Sequence, residues 1–155
     1  MAILADMENK PPTATIEAAH REHLNALPFG DTRDFADADR GFIAKQDPCV
    51  ITAADGRVVW DNDVYAFLTG DAPTSVHPSL WRQSTLVAKQ GLYEVVPGIY
   101  QIRGFDLSNM TVIEGDTGII VIDPLVSTEV AAAALPSADR LSALRRKGCP
   151  GRPRD

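Results

Sequence analysis

The stretch from Gly104 to Pro124 constrains the fold more than any other part of the chain, because it predicts two strands joined by a tight turn. The first strand covers residues 109–114, which are apolar in the middle and polar at the ends. The second is residues 119–122, an unbroken β-branched run that ends at Asp123. Such runs are typical of strands covered on both faces, as in an α/β sandwich. We therefore predict a buried strand that delivers the Asp123 carboxylate to one edge of a sheet.

A hairpin leads directly into this stretch. Residues 92–96 and 99–103 are rich in β-branched and aromatic side chains and enclose the turn dipeptide Pro97-Gly98. Four consecutive strands joined by short turns favour antiparallel pairing. After these strands, Ser127 can cap a helix that contains four consecutive alanines, which have the highest helix propensity.

The preceding part of the chain predicts short helices and one further hairpin. Apolar residues recur at helical spacing from Thr15 to Leu27. A second helix begins near Asp31 and is expected to present Phe35, Ala38 and Phe42 on one side. Residues 49–52 and 57–60 flank an Asp-Gly turn between β-branched runs, which predicts a β-hairpin.

Two more helices are predicted between this hairpin and the sheet. A short one follows Asp61 and carries Val64, Phe67 and Leu68. A longer one begins at Pro78, because proline is tolerated in the first turn of a helix, and Gly91 is expected at its C-terminal cap. The predicted fold class is therefore mixed, α+β or α/β, with antiparallel strands.

These patterns divide the chain into four segments: a flexible N-terminus (1–12), a helical and hairpin arm (13–91), a first sheet segment (92–135) and a basic tail (136–155). The tail has a formal charge of +4, whereas the first 135 residues carry −10. The tail also lacks an apolar period, which predicts disorder. Either an ordinary solvated terminus or a shift of reading frame would explain its change of character.

Composition excludes several classes of function. The net charge of −6 over 155 residues argues against a nucleic-acid-binding surface. No apolar run approaches the ~20 residues of a membrane-spanning helix, and residues 1–10 do not have the layout of a secretory signal. We therefore expect a cytoplasmic protein with no nucleic-acid or membrane partner. Cys49 and Cys149 are far apart and are expected to be free thiols.

Several longer motifs resemble the N-terminal portion of the linear alkyl sulfatases, hydrolases of the metallo-β-lactamase fold superfamily. The most specific are GIYQIRGFDLSNMT at residues 98–111, GDTG at 115–118 and IDPL at 122–125. PSLWRQ at 78–83 and RGFIA at 40–44 add to them. The resemblance implies the first antiparallel strands of an incomplete αββα sandwich, preceded by the helical arm.

The resemblance also implies the activity of a complete family enzyme, which cleaves alkyl sulfates to alcohol and sulfate with two zinc ions and is a homodimer. The family's zinc ligands lie in a His-x-His-x-Asp-His motif, which this sequence lacks. Since a catalytic zinc site needs about three protein ligands, we expect this chain to bind no zinc and to be inactive alone. The alternative is a non-catalytic chain that acts only as a structural or self-associating module.

Four residues are the candidate site residues. By resemblance, Asp123 supports the metal-binding loop without binding metal itself. Asp106, Ser108 and Asn109 precede a strand and are expected to line the cleft of a complete enzyme. No residue of this chain is predicted to be catalytic or to bind metal.

Other motifs have simpler structural interpretations. His20 and His23 lie on one face of the first helix, but we interpret them as solvated or partly packed, because a metal site would need more helices. His77, Arg82 and Lys89 could attract a sulfate, yet ordinary surface charges are the preferred interpretation. The triplet Asp116-Thr117-Gly118 also occurs in aspartic proteases, but those enzymes require two copies.

Overall fold

The computed structural model describes residues 11–134, which form an α+β fold with an antiparallel sheet, as predicted. The helices are α1 (Ala14–Ala26), α2 (Arg33–Asp39), α3 (Pro78–Val87) and α4 (residues 128–134). The strands are β1 (Phe42–Ala44), β2 (Val50–Thr52), β3 (Val58–Asp61), β4 (Gly91–Val96), β5 (Ile99–Arg103), β6 (Met110–Glu114) and β7 (Ile119–Ile122).

Strands β4 to β7 pair with their sequence neighbours, and β1 adds to the outer side of β4, so the sheet order is β1-β4-β5-β6-β7. All pairs are antiparallel. Strands β2 and β3 form a separate two-stranded hairpin. The turn dipeptides Pro97-Gly98 and Asp55-Gly56 lie at the tips of the two predicted hairpins, which are both confirmed.

The hydrophobic core lies against one face of the sheet. Leu92, Ile102 and Met110 occupy matching positions of β4, β5 and β6 and are nearly inaccessible to solvent. The β2–β3 hairpin and helix α4 cover this row. Ser127 caps α4, since its hydroxyl accepts the N–H of Val130 at 3.2 Å, as predicted. The core members are Cys49, Ile51, Leu92, Ile102, Phe105, Met110, Val112, Val130 and Ala134.

The prediction that residues 119–122 form a strand is confirmed, but the prediction that this strand is buried is wrong for the described part of the chain. All four side chains of β7 are exposed, from 37% at Val121 to 63% at Ile120. The reason is position: β7 is the edge of the sheet, and within residues 11–134 nothing covers it. Composition identified the strand but not its place in the sheet.

Three local predictions also need correction. Phe42 does not extend the second helix but begins β1, opposite Tyr93. Gly91 is not a helix cap: α3 ends at Val87, and Gly91 is the first residue of β4. The helix predicted after Asp61 is reduced to a 3₁₀ turn of three residues (Asp63–Tyr65). In each case strand pairing or a short turn overrides local propensity.

Helix α1 occurs as predicted, and the hydroxyl of Thr13 caps its N-terminus. None of its residues is buried, however, so its apolar stripe is not covered by the described residues. The predicted flexible N-terminus and basic tail lie largely outside residues 11–134, and the proposed segment boundaries stay predictions. No helix within that described range has the length and apolarity to cross a membrane.

Gly41 permits the change from α2 to β1. It has a φ of 74°, and its carbonyl accepts the N–H of Glu94 at 2.7 Å. A Cβ at this position would collide with the carbonyl of Glu94. The backbone reversal that places Phe42 against β4 therefore requires glycine.

We expect Gly41→Ala to lower the free energy of unfolding by about 2–4 kcal/mol, because it adds left-handed strain and a steric collision. Gly30→Ala is the matched control, because a Cβ at Gly30 would meet no atom within 4 Å. Its effect should stay within about 0.5 kcal/mol. Urea unfolding measures both values, and equal effects would show that β1 does not depend on the Gly41 conformation.

Candidate functional site

The carboxylate of Asp106 joins the β5–β6 loop to the segment that follows β7. Its Oδ1 accepts the N–H of Ser108 at 2.6 Å, which closes a local turn. Its Oδ2 accepts the N–H of Val126 at 2.7 Å, twenty residues further along the chain. Hydrogen bonds from backbone amides to a charged carboxylate are among the stronger ones in proteins. Asp106 therefore fixes the position of two loops at the same end of the sheet.

Ser108 links Asp106 to Asp123. Its hydroxyl oxygen lies 3.3 Å from one carboxylate oxygen of each residue. Because a hydroxyl carries one proton, Ser108 donates to one of the two carboxylates at a time. The structure thus brings together three of the four predicted site residues. The fourth, Asn109, is exposed and makes no side-chain hydrogen bond with another residue of the described range.

The segment that carries Asp123 has an unusual backbone conformation. Asp123 and Leu125 have φ angles of 53° and 75°, in the left-handed region. Aspartate tolerates this region, but a leucine there is strained and persists only when surrounding contacts fix it. The bond from Val126 to Asp106 is one such contact. The orientation of Asp123 therefore depends on Asp106 through the backbone.

The side chains of this cluster can hold neighbouring backbone segments in position, but they do not form a reactive set. Within the described range, the Ser108 hydroxyl contacts two carboxylates but no histidine, and neither carboxylate forms an ion pair, so the cluster lacks the nucleophile, base and orienting group of a triad. Among residues 11–134, no three His, Cys, Asp or Glu side chains come together so as to hold a metal ion. The triplet Asp116-Thr117-Gly118 forms the exposed β6–β7 turn, and the sequence contains a single copy of it. We therefore interpret Asp106, Ser108 and Asp123 as positioning residues.

Arg82 and Lys89, considered above as sulfate ligands, are instead engaged in the arm. Arg82 donates from Nε and Nη2 to the carboxylate of Asp34, at 2.9 and 2.6 Å, and from Nη1 to the carbonyl of Phe29 at 3.0 Å. Lys89 pairs with Asp39 at 2.5 Å. Through these hydrogen bonds, the planar guanidinium of Arg82 connects α3 to α2 and to the loop that precedes α2. The structural interpretation of both residues is the better one.

Three histidines converge in a way the sequence did not predict. The Nδ1 atom of His23 lies 2.7 Å from Nε2 of His77, and His20 Nδ1 lies 2.9 Å from the carbonyl of Thr74. The other ring nitrogen of His77 accepts the N–H of Ser79 at the start of α3. These contacts attach α1 to α3 and the loop before it. The pairing spans 54 residues, so no local signal could have revealed it.

Cys49 is the one cysteine within the described residues, and it does not have the properties of a nucleophile. It is fully buried in the core. Burial, followed by the nearby Asp63 and Asp61 charges, raises the pKa of its thiol to about 11. Since the thiolate is the reactive form, Cys49 is inert near neutral pH.

Replacement of Asp106 tests its role in the loop. Asp106→Asn leaves one acceptor oxygen and directs an NH₂ group at one of the two backbone N–H donors. We expect the Val126 amide to exchange about 10- to 100-fold faster, as measured by hydrogen exchange and NMR. Asp116→Asn, in the exposed β6–β7 turn, should leave the exchange rate unchanged. Equal protection of Val126 in both variants would contradict the assigned role.

Comparison with known proteins finds alkylsulfatase relatives of this chain. No family model matches the chain. It is 48% identical over 128 residues to a linear primary-alkylsulfatase from Pseudomonas sp., covering 81% of this chain and 19% of the relative. It is 47% identical over 130 residues to an (R)-specific secondary-alkylsulfatase from Pseudomonas sp. (83% and 20%), and 47% identical over 118 residues to the alkyl/aryl-sulfatase BDS1 of Saccharomyces cerevisiae (76% and 18%).

The fold is also that of a solved relative. The structure of the stereoselective inverting sec-alkylsulfatase Pisa1 from Pseudomonas sp. matches 94% of this chain, with a TM-score of 0.77 and 44% identity. The match covers 22% of the Pisa1 chain. The chain spans about a fifth of the length of the curated relatives it matches. In both sequence and fold, the chain is similar to a segment of the alkylsulfatases.

Proposed function

We propose that this chain contributes the helical arm and first sheet segment of an enzyme that hydrolyses alkyl sulfates to alcohol and sulfate. The names of three relatives at 47–48% identity support this activity. The observation that carries the proposal is the Asp106–Ser108–Asp123 cluster. It lies at one end of the sheet and joins the β5–β6 loop to the strained loop that follows β7 and carries Asp123; backbone strain of this kind is typical of functional sites.

In this proposal, the chain's residues position neighbouring groups and do not perform the reaction. Asp106 holds the 123–126 loop, Ser108 connects the two carboxylates, and Asp123 presents its side chain at the sheet edge. The resemblance implies a metallo-β-lactamase fold, two zinc ions and a homodimer for the whole enzyme. The described residues do not fit a zinc site, because no group of three His, Cys, Asp or Glu side chains among them, the three histidines included, could hold a metal ion. We therefore assign them no metal ligand.

A chimeric enzyme tests this function. Residues 13–134 of this chain would replace their counterpart in the Pseudomonas linear primary-alkylsulfatase, and release of sulfate from dodecyl sulfate would be measured. We expect the chimera to be active and the 155-residue chain alone to be inactive. Asp123→Asn in the chimera should lower activity about 10- to 100-fold, the usual effect of losing a group that orients a metal-binding loop.

Asp116→Asn in the same chimera is the control, since that carboxylate lies in the exposed β6–β7 turn. It should retain full activity. A folded chimera without activity would contradict the proposed function. Hydrolysis of dodecyl sulfate by the isolated 155-residue chain would also contradict it. Equal activities of the Asp123 and Asp116 variants would contradict the positioning role assigned to Asp123.

A second candidate function, as a self-associating module, is favoured by one observation. Strand β7 is a sheet edge with four exposed β-branched side chains, two of them (Ile120 and Ile122) more than half exposed. Such an edge offers unpaired backbone groups and apolar surface to another strand. In this alternative, two copies of the chain pair through β7 without catalysing a reaction.

Substitution at the edge tests this alternative. Ile120→Lys should shift the chain from dimer to monomer in sedimentation experiments, because an edge lysine opposes strand pairing. Leu80→Lys, which changes a side chain of similar exposure (60%) on α3, should leave the dimer intact. A chain that stays monomeric at all concentrations would eliminate the self-associating module.

A further inference from the structure

All three histidines of the chain lie where α1 packs against α3 and the loop before it. His23 and His77 are hydrogen-bonded to each other, and their ring centroids are 4.9 Å apart. The ring of His20 packs edge-on against that of His77, with 5.3 Å between the centroids. Helix α1 has no buried residue. Within residues 11–134, the hydrogen bonds that join its side chains to other elements come from His20 and His23.

These hydrogen bonds determine which ring nitrogen carries a proton in His77 and His23. His77 Nδ1 accepts the N–H of Ser79 at 3.1 Å, so this nitrogen carries no proton. A neutral imidazole has one N–H, which in His77 must therefore be at Nε2. It follows that His77 Nε2 donates to His23 Nδ1 across 2.7 Å. Both rings are neutral in this arrangement.

A proton added to either ring is incompatible with these bonds. Protonation of His23 places a hydrogen on Nδ1, which then faces the N–H of His77. Protonation of His77 places a hydrogen on Nδ1, which removes the acceptor for Ser79 at the start of α3. It also brings a positive charge to the N-terminus of α3, where the helix dipole disfavours cations. The attachment of α1 through this pair thus requires two neutral rings.

His20 does not share this requirement. Its Nδ1 lies 2.9 Å from the carbonyl of Thr74, and because a carbonyl can only accept, His20 donates from Nδ1. A second proton would be added at Nε2, which leaves this bond intact. His20 therefore provides a comparison within the same helix: it lies three residues from His23, but its hydrogen bond is compatible with a charged ring.

No neighbouring carboxylate compensates a charged ring in the described part of the chain. Arg82 of α3 is paired with Asp34 at 2.6 Å. Arg33 is paired with Asp31 in the same way. No ion pair within residues 11–134 includes a histidine. The charged side chains on the elements that meet at this contact are Glu17, Arg21, Glu22, Asp31, Arg33, Asp34, Asp71 and Arg82.

We propose that the His23–His77 pair makes the attachment of α1 to α3 dependent on pH. The pair holds α1 in place when both rings are neutral and releases it in acid. Histidine takes up a proton between about pH 5 and 8. Because the released form binds more protons, the attachment is complete above this range and is lost as the pH falls through it. This inference does not depend on the proposed function.

An NMR titration of the 155-residue chain from pH 8 to pH 5 tests the inference. Ring nitrogen shifts at pH 8 should show the proton at Nε2 in His77 and at Nδ1 in His20. The backbone amide shifts of α1 report the fraction of attached helix. At the acid end, where His23 and His77 each take up a proton, the attachment constant should fall by about 100-fold per pH unit. The core amide of Ile102 should not shift, which distinguishes release of α1 from unfolding.

Two matched substitutions on α1 separate the roles of its histidines. His23→Gln keeps an acceptor for the His77 N–H but takes up no proton in this range, so the fall should decrease to about tenfold per pH unit. His20→Gln should retain the fall of about 100-fold. An α1 that stays attached from pH 8 to pH 5 would overturn the inference, as would equal pH dependence in the two variants.

Discussion

The five-stranded sheet buries one of its faces, and the positions of the other elements follow from that constraint. Leu92, Ile102 and Met110 form a row across three strands, which the β2–β3 hairpin and α4 cover. Side chains alternate along each strand, so a shift of one residue in register would expose this whole row. At the surface, an ion pair between Arg57 and Glu129 at 3.7 Å connects the hairpin to α4.

Antiparallel pairing also explains why the candidate site forms where it does. One end of the sheet contains the C-terminal end of β5, the N-terminal end of β6 and the C-terminal end of β7. The loop containing Asp106 and Ser108 therefore lies beside Asp123, although up to 17 residues separate them in the sequence. A hydroxyl and two carboxylates become neighbours because of strand order, without any local sequence motif that encodes the contact.

The parts of the fold that depend on short-range chemistry could be predicted from the sequence. Pro97-Gly98 identified one hairpin, and Ser127 identified the start of α4. The candidate site was partly predictable, because Asp106 and Asp123 flank strands whose order follows from short connections. Contacts across about fifty residues were not predictable: the pairing of His23 with His77 depends on how α1 packs against α3.

The run at residues 119–122 predicted a strand covered on both faces, and only an incomplete sandwich would leave that strand exposed. A β-branched run predicts a strand, yet its burial depends on which elements lie beyond the sheet edge. An apolar groove between α3 and the β5–β6 loop gave no sequence signal at all, since its walls come from four separate segments between Trp60 and Leu107. Composition can indicate that such residues are hydrophobic, but only their arrangement determines whether they enclose a volume.

Asp106 joins the two loops at this end of the sheet, and this determines what the candidate site can do. Both of its carboxylate oxygens accept backbone amides, those of Ser108 and Val126, so the side chain is committed to holding the backbone. The left-handed conformations of Asp123 and Leu125 persist only where contacts of this kind fix them. Loss of the Asp106 carboxylate would therefore release the segment that carries Asp123. The two carboxylates act on the same backbone segment, one by holding it and the other by extending from it.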